Sequence, residues 1–273
     1  MPFTVSHVAA VLPFGPWLRR AGLLAAAVIG AMAPDFDLFL PWWLPRVATH
    51  GRMALLTFCL PAGLLAWALF ESLVRPALLA IAPDRWWAGW QRAGGADLRS
   101  WLTWLLVAGA ILGGAITHLV WDGFTHEGAR GVEMLPVLEA ESVRLAGHPM
   151  HLYRILQYLS SIAGLAIIAA YAWRWHRALP QDAPAGTRRA LPGGERLAWS
   201  AVLVAVPCAA AAAVALARLP QVGGEFGPGA WLSRILEAGM GAAGAALLLV
   251  SVLVRIRVGG RKARDAGGST CSG

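Results

Sequence analysis

Residues 113–128 read GGAITHLVWDGFTHEG, the end of an apolar helix in which polar side chains appear abruptly. His118, Asp122 and His126 are spaced four residues apart, so all three project from one face if the helix continues through them. An imidazole and a carboxylate one turn apart can bind one metal ion. The same spacing also suits a buried histidine bonded to its neighbour and an aspartate that caps a turn, so the motif needs further ligands to predict a metal site.

The composition of the 273-residue chain indicates an integral membrane protein. Hydrophobic residues make up 58% of the chain, charged residues only 14%, and the mean hydropathy is +0.58. A soluble domain carries about 25% charged residues, so this chain has too few to cover a surface that faces water. The net charge is +8, but the basic residues lie between apolar spans, where they indicate membrane orientation and not a nucleic-acid partner. The three cysteines, Cys59, Cys208 and Cys271, are far apart and predict neither a disulfide framework nor a thiolate metal site.

Five apolar segments are long enough to cross a bilayer, which requires about 20 residues of helix. They are residues 53–74, 101–120, 152–173, 197–216 and 235–254. The second segment contains Gly109 and Gly113, a GxxxG step that allows another helix to approach closely. The pattern predicts an all-α fold, a polytopic membrane helix bundle with five strong transmembrane helices.

The N-terminal residues differ from these spans. Residues 21–33 are apolar but too short to cross a bilayer, and Pro13 and Pro16 interrupt the segment before them. We predict a half-inserted helical hairpin that the protein retains. The alternative is a signal peptide that ends at Ala31-Met32-Ala33, because basic residues, an apolar core and a small-residue site are typical of one. Cleavage there would remove His7.

The same pattern divides the chain into four parts. Residues 1–174 form a membrane domain with all the motif residues, 175–196 a basic cytoplasmic loop, 197–254 a two-helix membrane extension, and 255–273 a basic tail that we expect to be disordered. Arg and Lys concentrate before the second and fourth spans and in the tail, so these segments and the C terminus should be cytoplasmic. His50, at the start of the first span, and His118, at the end of the second, then lie on the same outer side.

Further residues of the ligand type lie in the N-terminal half of the chain. Asp35 and Asp37 directly follow the short apolar segment, and a carboxylate at a membrane boundary needs a partner or a metal ion. Either aspartate could instead cap a turn at the interface. His7 is the titratable side chain of the first segment, and His50 directly precedes the first long apolar run. We predict the metal ligands His7, Asp35, His50, His118 and Asp122, with Asp37 and Asp122 as catalytic groups.

Histidine nitrogens and carboxylate oxygens in roughly equal number suit a divalent transition metal, zinc in the first place, with manganese or iron as alternatives. The absence of a nearby thiolate argues against a purely structural zinc. The set is large enough for one metal with surrounding carboxylates or for two metals. A catalytic metal makes a bound water easy to deprotonate, and at the outer membrane face the natural substrate is an ester or phosphoester of a lipid or lipid-linked molecule.

The order of these motifs resembles that of bacterial membrane proteins. His7, PDFD at 34–37, RVATH at 46–50, THLVWD at 117–122 and Leu135-Pro136 are arranged as in inner-membrane proteins that are classed by prediction as metal-dependent hydrolases. The fuller pattern MPFTVSHVAAVLPF, GAMAPDFD, TH and THLVWDGFTHEG resembles more closely an uncharacterised multi-pass family known as a domain of unknown function. The resemblance covers residues 1–174 and implies a multi-pass protein of the bacterial cytoplasmic membrane with hydrolase activity.

The chain departs from the wider hydrolase pattern at two places. Gly51 stands where those proteins usually have Ser, and His126-Glu127 stands where they have a small polar pair. His126 is therefore an added ligand or a loop residue, and we favour the loop residue.

Three functions are open on this basis. The first is a membrane-embedded metal-dependent hydrolase, and the second a transporter or channel component whose His and Asp residues relay protons or bind an ion within the bundle. The third is a structural membrane protein whose polar residues pair with one another. The lipid bilayer is the one partner that the sequence indicates, and the oligomeric state is not defined by it. A metal site requires that the rings of His7, His50 and His118 lie within about 10 Å of one another and of Asp35.

Overall fold

The computed structural model of the chain describes residues 3–39, 44–92, 96–145, 148–179, 190–218 and 227–268. Its α-helices are α1 (Gly15–Arg20), α2 (Leu24–Met32), α3 (Arg46–His50), α4 (Leu60–Leu69), α5 (Arg75–Ile81), α6 (Asp84–Arg92), α7 (Trp101–Thr125), α8 (Arg130–Met134), α9 (Leu152–Arg177), α10 (Gly193–Arg218) and α11 (Gly227–Gly268). Short 3₁₀ helices cover Thr4–Ala10, Leu12–Phe14, Ala33–Phe39 and Pro136–Glu139, and the strands β1 (Glu141–Leu145) and β2 (His148–His151) form an antiparallel hairpin. The described residues thus form the predicted all-α bundle with one small β-hairpin added.

Five helical segments are long and apolar enough to cross a membrane, in agreement with the five spans predicted from the sequence. They are Leu55–Ile81, Trp101–Thr125, Leu152–Arg177, Gly193–Ala217 and Trp231–Arg261. Large apolar side chains on these segments are exposed, for example Leu105 at 58% and Leu249 at 61%. Exposure of this kind is unfavourable in water and typical of a surface that faces lipid. The length and composition of these helices indicate a membrane protein.

The first of these segments contains two π-helical turns, Leu55–Cys59 and Phe70–Val74. Each turn ends two residues before a proline, Pro61 or Pro76. Because proline has no backbone N–H and its ring clashes with an earlier carbonyl, the helix widens locally instead of breaking. The helical segment therefore continues to Ile81, beyond the end of the predicted span at residue 74.

Residues 15–32 form two short helices. α1 and α2 are joined by a turn in which Gly22 has a φ of 72°, a backbone conformation that favours glycine. The 9 residues of α2 are too few to cross a bilayer, as the sequence predicted. Ala26 and Ala31 of α2 have no exposed surface, so removal of residues 1–33 would open the core of the bundle.

α2 packs against α7 through close contact between the two backbones. A Cβ atom at Gly30 would overlap the backbone of α7, and one at Gly114 would overlap the backbone of α2. Gly109 and Gly113, in contrast, have no neighbouring atom within 4 Å of that position. The close approach expected at the GxxxG step therefore occurs at Gly114 instead. The spacing of the glycines does not reveal which face of α7 meets its neighbour, because packing sets the rotation of the helix.

The 3₁₀ helix Thr4–Ala10 packs against α9. The Phe3 N–H donates a hydrogen bond to Ser161 Oγ at 3.2 Å. A Cβ atom at Gly164 would lie 2.7 Å from the carbonyl oxygen of Ser6, so only glycine leaves room for this contact. α9 thus holds the segment that carries His7.

The chain divides into two compact units, which differ from the predicted parts. The first unit comprises Met1–Ala68 and Gly95–Ala178, and the second comprises Leu69–Gly94 and Leu179–Gly273. The predicted boundary at residue 174 lies near the end of the first unit, but the sequence did not reveal that residues 69–94 group with the C-terminal helices. They do so because a small apolar core joins α5 to that unit: Ala77, Ile81, Leu191, Val250 and Val254.

The tail that we expected to be disordered from residue 255 is helical over most of its length, because α11 continues to Gly268. Arg257 and Arg261 lie 3.0 and 2.7 Å from Glu195, and these ion pairs hold the helix beyond the last apolar residues. Residues 269–273 of the tail and 180–189 of the predicted basic loop lie outside the described residues.

Candidate metal centre

The five predicted ligands meet at one place in the first unit, although they come from four segments. His7 lies on the 3₁₀ helix Thr4–Ala10, Asp35 on the 3₁₀ helix Ala33–Phe39, and His50 at the end of α3. His118 and Asp122 lie one turn apart on α7, whose regular helix puts both on the same face. The exposed fraction of these five side chains is between 0% and 8%. A buried cluster of two carboxylates and three imidazoles is costly unless its members are paired or bind a metal.

Four of the ligand atoms have the spacing of a tetrahedral metal site. The Nε2 atoms of His50 and His118 lie 3.3 and 3.6 Å from Oδ1 of Asp35, and each lies 3.6 Å from Oδ2 of Asp122. Ligand atoms at about 2.0–2.2 Å from a tetrahedral zinc ion are about 3.3–3.6 Å apart. The four measured distances are four of the six edges of such a tetrahedron, so these atoms could hold one cation.

His7 is the fifth member of the cluster. Its Nε2 atom lies 3.4 Å from Oδ1 of Asp122, and its ring stacks on that of His118 with 3.7 Å between the ring centroids. Ligand atoms of His7, Asp35 and His118 lie within 4.8 Å of one another, as do those of His50, His118 and Asp122. His118 belongs to both groups. The two groups overlap at His118, whose Nε2 has one lone pair, so this nitrogen could bind only one cation.

The Nε2 atoms of all three histidines are buried and have no hydrogen-bond partner in suitable geometry among the described residues. The same holds for Oδ1 of Asp122. Leaving a buried polar atom unsatisfied costs about 1–3 kcal/mol. These four atoms belong to a cluster of residue types that could hold a cation.

The orientation of His118 is fixed by a backbone carbonyl. Its Nδ1 lies 2.8 Å from the carbonyl oxygen of Ala31, which can only accept, so Nδ1 carries the hydrogen and donates it. In the neutral ring Nε2 then presents a lone pair to the oxygens of Asp35 and Asp122. Lone pairs that face each other repel unless a positive charge lies between them. Histidines that bind metals typically donate their other N–H to a carbonyl in this way.

His50 is held in the same tautomer by a threonine. Its Nδ1 lies 2.8 Å from Thr49 Oγ1, and that hydroxyl donates to the carbonyl oxygen of Arg46 at 3.4 Å. When the hydroxyl proton is donated to Arg46, Thr49 accepts the Nδ1–H of His50. In that tautomer Nε2 of His50 carries no hydrogen and is directed at Asp35 and Asp122.

The protonation states near the N terminus suit metal binding. Burial alone would raise the pKa of Asp35, but the close approach of His50 and His118 and a hydrogen bond from Thr4 hold this pKa below its usual range. The Thr4 hydroxyl donates to Asp35 Oδ2 at 2.7 Å, which leaves Oδ1 for the cluster. Burial and the neighbouring His118 lower the pKa of His7 to about 4. At neutral pH the carboxylate is charged and the imidazole is neutral, the forms that bind metals.

Asp37, predicted as a catalytic group, lies beside the cluster. Asp37 is half-buried. Among the described residues, no histidine or arginine is close enough to its carboxylate, at 4.0 Å or less, to form an ion pair. Its Oδ1 is buried without a hydrogen-bond partner, and burial raises the pKa of this carboxyl group. Asp37 is therefore a carboxyl group near the centre with one oxygen that makes no hydrogen bond to a described residue.

Arg46 is a residue of the site that the sequence analysis did not single out. Its Nη2 atom lies 3.0 Å from Oδ2 of Asp122, and 47% of its side chain is exposed. Its position four residues before His50 could have identified it, because this spacing places both side chains on one face of α3. Thr4 was missed because a hydroxyl near the N terminus has no distinctive spacing.

His126, at the end of α7, also contacts Asp122. Its Nδ1 is 3.5 Å from Oδ1 of Asp122 and 3.2 Å from the carbonyl oxygen of the same residue. Its Nε2 faces the side-chain amide of Gln157 on α9 at 3.5 Å. His126 thus contacts a ligand without joining the metal-binding groups, and it is more closely involved than a free loop residue.

Comparison with known families gives a match over most of the chain. The family described as Domain of unknown function (DUF4184) matches residues 1–255, which include every residue of the centre. The similarity to an uncharacterised family that the motif order suggested is thereby confirmed, and it extends through α10 and most of α11. No curated protein and no solved structure matches the chain.

Proposed function

We propose that the chain, which belongs to the DUF4184 family, is a membrane-embedded metal-dependent hydrolase. One observation carries the proposal: three buried imidazole nitrogens, which make no hydrogen bond of good geometry with any described residue, converge on two carboxylates at the spacing of a metal site. Since family membership brings no activity with it, the function rests on the chemistry of this centre.

The donor set indicates which residues would hold the metal. His50, His118, Asp35 and Asp122 surround one position, and His7 lies beside it for a fifth bond or a second ion. Two nitrogens and two carboxylate oxygens suit zinc, with manganese and iron as alternatives. A bound divalent metal would activate water and polarise an ester oxygen. Asp37 is the proposed general base, because it lies near His50 and Asp35, its Oδ1 makes no hydrogen bond to a described residue, and burial raises its pKa.

An ester or phosphoester of a lipid or lipid-linked molecule is the proposed substrate class. An apolar groove of about 390 Å³ runs between α7 and the residues from Val11 to Ala27. Leu105, Gly109 and Gly113 line it along α7, and its last residue there is Thr117, directly before His118. An apolar groove along a membrane-spanning helix that carries two of the proposed ligands supports the binding of an acyl chain. The positive-inside rule supports a position of the centre at the outer face, with the C terminus in the cytoplasm.

A proton or ion relay is supported less well. Such a relay needs polar groups along the length of a span. Residues 101–117 of α7 contain no titratable side chain, and the titratable residues of this helix, His118 and Asp122, lie in its last turns. The centre therefore resembles a site at one face more than a pathway through the bundle.

The proposal predicts a near-stoichiometric transition metal in protein purified in mild detergent without added chelator. The double variant His50→Ala/His118→Ala should reduce the metal content by at least tenfold, because it removes two of four ligands. His176→Ala, which changes a histidine at the end of α9, serves as the matched control and should keep the metal. Elemental analysis by mass spectrometry measures all three proteins. Wild-type protein without metal, even after incubation with zinc or manganese, would rule out the proposed function.

A further inference from the structure

We propose that Arg46 binds the anionic group of the substrate, which makes the substrate a phosphoester and not a neutral carboxylic ester. This inference rests on the proposed function and deepens it. Arg46 touches the centre through Asp122 Oδ2, at 3.0 Å from its Nη2. The same oxygen lies 3.6 Å from Nε2 of His50 and of His118. The guanidinium group is thus adjacent to the position at which a metal would be held.

Arg46 marks the open side of the centre. Its side chain is 47% exposed, whereas those of the ligands are at most 8% exposed. A guanidinium group has five N–H donors, and the contact with Asp122 is the one side-chain partner of Arg46 among the described residues. The remaining donors are available to a molecule that approaches from outside. Val47 and Met53, at 75% and 70% exposed, supply apolar surface on the same stretch of chain.

The charge of Asp122 explains how Arg46 can pair with Asp122 in the metal-free centre and bind an anion in the metal-loaded centre. Without a cation, Asp122 attracts the guanidinium group. When Asp122 shares its charge with a metal, this attraction weakens and more donors turn towards an incoming anion. Two N–H groups of the planar guanidinium can donate to two oxygens of a phosphoryl group. A carboxylic ester has no pair of negatively charged oxygens to accept them.

In the hydrolysis itself, the oxygen of water bonds to phosphorus and the bond from phosphorus to the alcohol oxygen breaks. The proton that water loses passes to the proposed base Asp37 and then to the departing alcohol, so the products are the alcohol and the phosphate. Arg46 stabilises the charge on the non-bridging oxygens during this step. No oxidant, reductant or further reactant is required.

Phosphate binding to metal-loaded wild-type protein in detergent tests the inference. Equilibrium dialysis with radiolabelled inorganic phosphate measures the Kd, and elemental analysis measures the metal in the same samples. Arg46→Gln should weaken phosphate binding at least tenfold with metal content within twofold of wild type. Arg46→Lys should retain part of the binding, because it keeps the charge without the fork. The exposed Arg52→Gln is the matched control and should bind phosphate like wild type.

Activity provides a second readout. With p-nitrophenyl phosphate, Arg46→Gln should lower kcat/KM at least tenfold, whereas Arg52→Gln should stay within twofold of wild type. Equal phosphate binding by Arg46→Gln and wild type would overturn the inference. Loss of metal from Arg46→Gln would overturn it as well, because Arg46 would then have a structural role in holding Asp122. If Arg46→Gln does not fold, phosphate binding and metal content are compared between Arg46→Lys and Arg52→Gln by the same criteria. Wild-type protein that holds metal but binds no phosphate overturns this inference alone, whereas protein without metal overturns the hydrolase itself.

Discussion

Individual atoms decide whether the cluster can hold a metal, because each histidine must present the nitrogen that carries no hydrogen. The contact with the Ala31 carbonyl favours the required tautomer of His118, and the contact with the Thr49 hydroxyl favours the required tautomer of His50. These supporting contacts are as important to the centre as the ligands, since a ring that rotates or changes tautomer no longer directs a lone pair at the metal position. The exposed Arg46 adds the positive charge that the buried ligands do not supply.

Thr49→Val tests this support at a single residue. The change keeps the shape of a fully buried side chain and removes the hydroxyl that accepts from His50 Nδ1. We expect metal affinity to fall about 10–100-fold, the usual effect of losing an outer contact to a metal-binding histidine. Thr57→Val is the matched control, because the Thr57 hydroxyl donates to Met53 on an exposed helix surface. Competition with a fluorescent zinc chelator measures both, and equal affinities in the two variants would contradict the tautomer argument.

Among the elements, α2 and α7 determine the shape of the centre. Their backbones meet at Gly30 and Gly114, and Ala31 of α2 is bonded to His118 of α7 directly beside this contact. The 3₁₀ helix that carries Asp35 follows the end of α2 at once. The distance between the two helices therefore sets the distance between Asp35 and His118.

Gly114→Ala should separate the two helices. The added Cβ overlaps the backbone of α2, which cannot move like the end of a flexible side chain, and we expect a loss of about 1–3 kcal/mol in unfolding free energy. Metal content should fall as well, because the Asp35 to His118 distance grows. Gly109→Ala lies on the same helix, its Cβ meets no atom, and its stability should stay within about 0.5 kcal/mol of wild type. Denaturant titration in micelles measures the difference, and similar stabilities would refute the close packing of α2 and α7.

For the whole molecule, the spans and the convergence of ligands could be predicted from the sequence, because both follow from coarse patterns. Apolar runs and basic loops define spans and their direction, and direction alone brings His50 and His118 to the same face. The rotation of α7, which selects Gly114 over Gly113, could not be predicted, since it depends on packing between distant segments. The grouping of residues 69–94 with the C-terminal helices and the helical tail were missed for the same reason.

Bound metal should stabilise the entire first unit, since the ligands come from four of its segments. Metal that binds only the folded state at 100 times its Kd adds about 2.7 kcal/mol to the unfolding free energy. Thermal unfolding of detergent-solubilised protein should therefore show a higher Tm with zinc than with EDTA. His118→Gln should remove this difference, because His118 belongs to both ligand groups, and His176→Ala should keep it. A wild-type Tm that zinc does not change would contradict a metal that links these segments.

The packing of Thr4–Ala10 on α9 has a consequence for the order of biosynthesis. His7 is the first of the five ligands to leave the ribosome, yet the helix that holds its segment, through Ser161 and Gly164, is translated more than a hundred residues later. The ligand that is made first is thus the last to be secured. A nascent chain stalled before α9 would carry all five ligands without a closed centre.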